Sequence, residues 1–127
     1  MPVELNHTIV WCHDKERSSA FLADILGRPA PAEFLHFRIV ELDNGVSLDF
    51  MQKEGAVARQ HYAFLVSEEE FDSIFARIKA AGLTYWADPS RSVVNEINHR
   101  DDGRGMYFED PDGHLLEILT RPYGSGQ

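Results

Sequence analysis

His7 to Gly27 reads HTIVWCHDKERSSAFLADILG, and His61 to Gly82 reads HYAFLVSEEEFDSIFARIKAAG. Each segment opens on a histidine and runs through a short apolar stretch, TIVWC or YAFLV. Each then meets an acidic helix start, continues as an amphipathic helix and stops at glycine. The histidines stand 54 residues apart and the glycines 55. Self-similarity at one offset marks a supersecondary unit used twice, and that reading governs the rest of the chain.

The helices have a stated chemistry. In the second unit Ser67 and Glu70 form the S-x-x-E capping box. Phe71, Ile74, Phe75 and Ile78 follow at i, i+3, i+4 and i+7, which makes one apolar face. Gly82 supplies the left-handed residue that closes the helix. In the first unit Asp14 is the cap, Phe21, Leu22, Ile25 and Leu26 form the apolar face, and Gly27 with Pro29 ends it.

Strand-like runs follow each helix. In the first unit they are Phe34–Leu42 and Val46–Met51, turned by Asp43-Asn44-Gly45. In the second they are a weak strand near Leu83–Trp86, then Gly105–Glu109 and Leu115–Arg121, the last two turned by Asp110-Pro111-Asp112-Gly113. The polar stretch ADPSRSVVNEINHRDDGR, residues 87–104, is a long connection of the kind that is either functional or a mobile surface loop. The expected organisation is α+β: two βαβββ modules, 4–52 and 58–122, in one domain with a flexible tail at 123–127.

Composition limits the functions. The formal net charge is −9, with acidic clusters at Glu68–Glu70 and Glu109-Asp110, and such a surface repels a phosphate backbone. Nucleic acid is therefore not an expected partner. No stretch approaches the ~18 apolar residues that cross a bilayer, and MPVELNHTIV lacks a basic region followed by an apolar run. No membrane partner or export is expected. Cys12 is the only cysteine, which suits a reducing cytoplasm and rules out an intrachain disulfide.

Strands covered by helices on one side bury every second residue. In the strand from His61, Tyr62, Phe64 and Val66 form the covered set, so His61, Ala63 and Leu65 face the other way. In the last strand Leu116 and Ile118 are covered, so Leu115, Glu117 and Leu119 face away. Ser47, Asp49 and Met51 likewise oppose Val46, Leu48 and Phe50. His7 shares a face with Leu5, Ile9 and Trp11, but both faces there are apolar and alternation alone does not assign them.

One imidazole or carboxylate thus interrupts an apolar strand in four places. A single strand histidine is more often a hydrogen-bonded structural residue than a ligand. The pairing changes that: His7 and His61 are related by the repeat, and Asp49 and Glu117 both lie in the last strand of a module. Two histidines and one carboxylate make a facial set for a divalent metal (Fe, Mn, Zn, Ni or Co) that leaves open positions for substrate. The expected ligands are His7, His61 and Glu117.

With LNHTIVWCHDKERSSAFLADILG at the start, QHYAFLVS in the middle and GRGMYFEDPDGHLLEILTRPYG at the end, the chain resembles the vicinal oxygen chelate superfamily over about residues 4–122. That superfamily contains glyoxalase I, extradiol dioxygenases, and fosfomycin- and bleomycin-resistance proteins. The resemblance implies a glyoxalase-like domain whose paired βαβββ modules form an open, cup-like mixed sheet around a metal. It implies a homodimer, with modules paired within a chain or exchanged between chains. It carries the ligand roles onto His7, His61 and Glu117, and aligns Asp49 with the position where glyoxalase I has a glutamate as fourth ligand and base. The shorter aspartate leaves open whether Asp49 binds the metal, binds it through water, or only accepts a proton.

The first functional expectation is a metal-dependent enzyme that chelates vicinal oxygens of a small substrate and performs glyoxalase-type isomerase or lyase chemistry, with Asp49 or Glu117 moving a proton. An Fe(II) extradiol-type dioxygenase is the alternative, with His99 or Tyr107 as acid or base. A third is a non-catalytic pocket that sequesters an antibiotic, as in bleomycin resistance, with Trp11, Tyr85, Trp86 and Tyr107 stacking a planar ligand. Weaker substrate contacts are assigned to Trp11, His99, Arg104 and Tyr107. A thiol cosubstrate is compatible with the resemblance.

Overall fold

A computed structural model describes residues 2–126. The chain divides into two compact units, Met1–Ala58 and Arg59–Gln127. Each unit is one four-stranded mixed sheet with one helix, so the α+β fold of two βαβββ modules is borne out.

In the first unit β1 (His7–Cys12) leads to α1 (Lys15–Leu26), then to β2 (Ala32–Phe34), β3 (Phe37–Glu41) and β4 (Ser47–Gln52), in the sheet order β1-β4-β3-β2. Only the β1–β4 pair is parallel. Asp14 caps α1 by accepting the Glu16 and Arg17 N–H groups at 3.1 Å each. Gly27, at φ 73°, lets the Arg28 N–H return to the Ala23 carbonyl at 2.8 Å, a Schellman closure.

Two details differ from expectation. The run Phe34–Leu42 is a hairpin of two strands, because Leu35 adopts φ 53° and Phe34 pairs directly with Phe37. Alternation marks an apolar run but not a two-residue reversal within it. The buried face of α1 is Ser18, Ser19, Leu22, Ala23 and Ile25, with Phe21 and Leu26 only half-buried. Small residues bring the helix axis close to the sheet, and the Ser19 hydroxyl is satisfied by donating to the Lys15 carbonyl at 2.6 Å.

The second unit repeats the plan: β5 (His61–Leu65), α2 (Glu68–Ala80), β6 (Tyr85–Trp86), β7 (Gly105–Glu109) and β8 (Leu115–Leu119), in the order β5-β8-β7-β6. The capping box is complete: the Glu70 N–H donates to Ser67 Oγ at 3.1 Å and the Ser67 N–H to Glu70 Oε1 at 3.3 Å. Phe71, Ile74 and Ile78 are the buried face of α2, and Phe75 meets Tyr85 edge-on at 5.1 Å.

The long connection is ordered by hydrogen bonds of its own. Asp88 accepts the Ser92 and Val93 N–H groups, Asn98 exchanges two backbone bonds with Gly105, and Arg100–Asp102 forms a short 3-10 turn. The tail expected to be flexible also bonds specifically, since the Gly124 and Gly126 N–H groups donate to the two carboxylate oxygens of Asp101 at 3.0 and 3.2 Å. Among the described residues no helix is long and apolar enough to cross a membrane.

Candidate metal centre

The site residues follow from strand register. β1 and β4 run parallel with His7 opposite Ser47 and Ile9 opposite Asp49. β5 and β8 run parallel with His61 opposite Leu115 and Ala63 opposite Glu117. In both units the carboxylate stands two residues beyond the histidine's own partner. Paired residues of a parallel ladder share a face, as do residues two apart on one strand. His7 therefore shares a face with Asp49, and His61 with Glu117. The opposite face is the core: Val10, Cys12, Leu48 and Phe50 in one unit, Phe64, Leu116 and Ile118 in the other. Burial thus assigns the face of β1 that alternation could not, with His7, Ile9 and Trp11 directed outward.

The two histidines are oriented alike. His61 Nδ1 lies 2.9 Å from the Leu115 carbonyl, and His7 Nδ1 lies 2.7 Å from Asn6 Oδ1. A carbonyl oxygen only accepts, so in each ring Nδ1 carries a hydrogen and Nε2 is the nitrogen left to face another partner. A metal-binding imidazole is held in the same way, with its second nitrogen donating to an acceptor.

His61 Nε2 lies 3.1 Å from Glu117 Oε1. Nε2 at this distance from a carboxylate oxygen either donates a hydrogen to it or shares a metal ion with it. Two donors bound cis to one metal at about 2.1 Å are themselves about 3.0 Å apart, so the spacing and chemistry of this pair fit a shared divalent ion. Glu117 is 1% exposed, and a buried carboxylate without such partners would be costly.

The other Glu117 oxygen is also taken. The Tyr123 hydroxyl donates to Oε2 at 2.5 Å, Tyr123 and Tyr107 hydroxyls are 3.2 Å apart, and Arg100 Nη1 donates to the Tyr107 hydroxyl at 2.7 Å. The Tyr123 phenol is pushed above its ordinary range, first by desolvation of its hydroxyl and then by the bonds to Glu117 and Tyr107.

The remaining sequence-named positions divide. Asp49 Oδ1 accepts from Ser47 Oγ at 2.8 Å on the face of His7. Trp11 is outward on that same face, with Lys53 Nζ 6.0 Å from its ring. Tyr107 is buried beside His61, ring centroids 6.0 Å apart. His99 is exposed at the start of the 3-10 turn and makes no side-chain cap there.

Arg104 is committed elsewhere. It donates to Glu68 Oε1 and Asp72 Oδ1 at 2.8 Å each, over the Phe71 ring. Sequence reasoning passed over Arg100 and Tyr123; a tyrosine shortly after the final strand and an arginine beside His99 were their only signals. Among the described residues no group of three or more His, Cys, Asp or Glu side chains stands gathered for a metal. Each unit by itself puts one histidine and one carboxylate on a common face.

Known proteins resemble this chain in sequence and in fold. The sequence model of the Glyoxalase/Bleomycin resistance protein/Dioxygenase superfamily matches residues 4–118. Glutathione transferase FosA of Serratia marcescens is 31% identical over 120 residues, spanning 90% of this chain and 78% of that protein. The solved structure of oxidase ChaP-H2 is 63% identical, covers 100% of both chains and superposes with a TM-score of 0.97. The fosfomycin resistance protein FosX of Listeria monocytogenes is 26% identical over 100% of both chains, with a TM-score of 0.74.

Proposed function

The chain belongs to the glyoxalase/bleomycin resistance protein/dioxygenase superfamily, and on that premise we propose that it is a divalent-metal-dependent enzyme that binds a small substrate through two neighbouring oxygens and oxidises it with molecular oxygen. The observation that carries the metal half is the repeated register, His7 with Asp49 and His61 with Glu117, together with the acceptor that faces Nδ1 of each histidine. The oxidative half is supported by 63% identity, over the full length of both chains, to a protein described as an oxidase. The isomerase or lyase chemistry preferred from sequence accordingly takes second place.

In this reading His7 Nε2, His61 Nε2 and Glu117 Oε1 would hold the ion, the ligand set that the family resemblance carries onto this chain. The ligand set admits all the metals considered, and Fe(II) is proposed because oxidation by oxygen calls for a redox-active ion. When bound, the ion supplies a Lewis acid for the chelated oxygens and the electrons that activate oxygen. Asp49 Oδ2, the oxygen left over by Ser47, accepts the proton that a substrate hydroxyl loses on chelation. Trp11, outward on the His7 face, stacks a planar substrate. Leu115 and Asn6 hold the imidazoles at the angle that directs Nε2 outward.

Oxygen uptake tests this. Metal-stripped protein reconstituted singly with Fe(II), Mn(II), Ni(II) or Zn(II) is given catechols and related vicinal-oxygen aromatics in an oxygen electrode. Uptake with Fe(II) and none with Zn(II) is expected. Turnover of thiohemiacetals with Ni(II) or Zn(II) in the absence of oxygen would instead establish the isomerase. That second reading keeps one specific support, a carboxylate (Asp49) where glyoxalase I has its base.

A further inference from the structure

The hydrogen bonds from Arg100 to Glu117 form a chain whose direction is fixed at both ends. A guanidinium can only donate, so Arg100 Nη1 gives its proton to the Tyr107 oxygen. An ionised carboxylate can only accept, so the Tyr123 hydroxyl gives its proton to Glu117 Oε2. The tyrosine–tyrosine bond between them must then run from Tyr107 O–H to the Tyr123 oxygen. Every donor is used once, and the chain runs from a cation to an anion, the arrangement in which successive bonds polarise one another.

We infer that Tyr123 is a positioning residue that makes Glu117 a one-oxygen ligand, and that the segment 121–126 is a built part of the centre. The inference rests on Glu117 being a metal ligand, as proposed above. With Oε2 claimed by Tyr123, only Oε1 is left to face His61 Nε2. Packing alone does not account for the contact, because Tyr123 is 61% exposed while the carboxylate it touches is 1% exposed.

What holds the tyrosine there is the strap on either side of it. Asp101 accepts the Gly124 and Gly126 N–H groups with its two oxygens, and Arg121 Nη2 donates to the Ser125 carbonyl at 2.7 Å. Asp101 itself sits at φ 55°, a left-handed conformation that aspartate tolerates better than most residues. Gly126 lies against the Asp101 backbone where a Cβ would collide. Arg100, the residue before Asp101, has its guanidinium 5.6 Å from the Tyr107 ring and 6.0 Å from that of Tyr123.

The test compares full-length wild type, Tyr123→Phe, Asp101→Ala and His61→Ala, each stripped and titrated with Co(II) and Mn(II). Tyr123→Phe frees Oε2 while keeping the ring. It is expected to weaken Co(II) binding 10- to 100-fold, the usual effect of removing an outer partner of a ligand. It also changes the Co(II) visible absorption and the Mn(II) paramagnetic resonance spectrum, as a one-oxygen ligand becomes free to bind through two. The metal-free melting temperature falls modestly, because the buried Oε2 loses its donor, so the spectra carry the decision. Asp101→Ala, which releases the strap and keeps the hydroxyl, moves the affinity and spectra the same way by less.

Wild-type affinity and spectra in Tyr123→Phe, with binding lost in His61→Ala, would overturn the inference and leave the metal centre standing. A weakened affinity with spectra identical to wild type would also overturn it. Unchanged binding in both Tyr123→Phe and His61→Ala would remove the metal centre and the inference together.

Discussion

His61 Nε2 meets Glu117 Oε1 at 3.1 Å although the two residues are not strand partners, since Ala63 stands opposite Glu117 and His61 opposite Leu115. The contact is diagonal across a parallel pair, and the Leu115 carbonyl that flanks it holds the other nitrogen of the ring. One residue, His61, is thus fixed by the backbone of β8 and aimed at a side chain two residues further along it. The first unit repeats the offset with His7 and Asp49. An arrangement that follows from register belongs to the sheet and does not depend on a loop.

Asp49 differs from Glu117 by one methylene and by its partner. Ser47 holds Oδ1 from the same strand, and the role proposed for Asp49 is to take the proton. Asp49→Asn is expected to leave metal stoichiometry intact and to lower turnover by about 10² to 10⁴, the range lost with a general base. Metal titration beside steady-state oxygen uptake checks both halves. Lost stoichiometry would make Asp49 a fourth ligand.

Arg104 gives a pH-dependent signature away from the centre. Hydrogen bonds from Thr120 first, and from Arg104 second, hold the Glu68 carboxyl below its ordinary value of 4.5. A carboxyl lowered in the folded state adds stability above its unfolded pKa and loses it as pH falls through the folded value. Arg104→Ala weakens that contribution. Its melting temperature is expected to fall less steeply than wild type between pH 5 and 3, and high salt should shrink the difference.

Gly105 opens β7 where the backbone passes Asn98. A Cβ there would lie 3.0 Å from Asn98 Oδ1 and 3.1 Å from its nitrogen. Asn98 also ties the long connection back to itself, donating from Nδ2 to the Ala87 carbonyl at 2.9 Å. Gly105→Ala is expected to raise amide exchange across residues 87–104 while leaving β1–β4 unchanged. Exchange measured by mass spectrometry resolves the two regions.

Legibility in the sequence follows the range of the interaction. The helix caps, the α2 face and the Asp110–Gly113 turn depend on neighbours within a few residues, and the sequence states them directly. The shared faces of His61 and Glu117 were legible because alternation has period two and Phe64, Leu116 and Ile118 mark the covered side. The repeat then carried the reasoning to His7. Leu35 shows the first failure: nothing in EFLHFR announces that a leucine will turn at φ 53°.

The face of α1 failed differently, because apolar spacing picked Phe21 and Leu26 where close approach to the sheet selects serine and alanine. Arg104 reads as a weak substrate contact because its partners Glu68 and Asp72 lie 36 and 32 residues away. Tyr123 and Arg100 join Glu117 through a strap tied to Asp101, and hydrogen bonds to a loop leave no periodic trace.

The proposed metal centre needs His7, His61 and Glu117 to share one ion, and metal content tests it most directly. Wild type and the variants His7→Ala, His61→Ala and Glu117→Ala are stripped, titrated with Fe(II) without oxygen, and measured by calorimetry and elemental analysis. One ion per chain in wild type is expected, with affinity at least about 100-fold weaker in each variant. Circular dichroism should show all four equally folded. A wild type that binds no ion, or a His7→Ala protein that binds as tightly as wild type, would contradict the account.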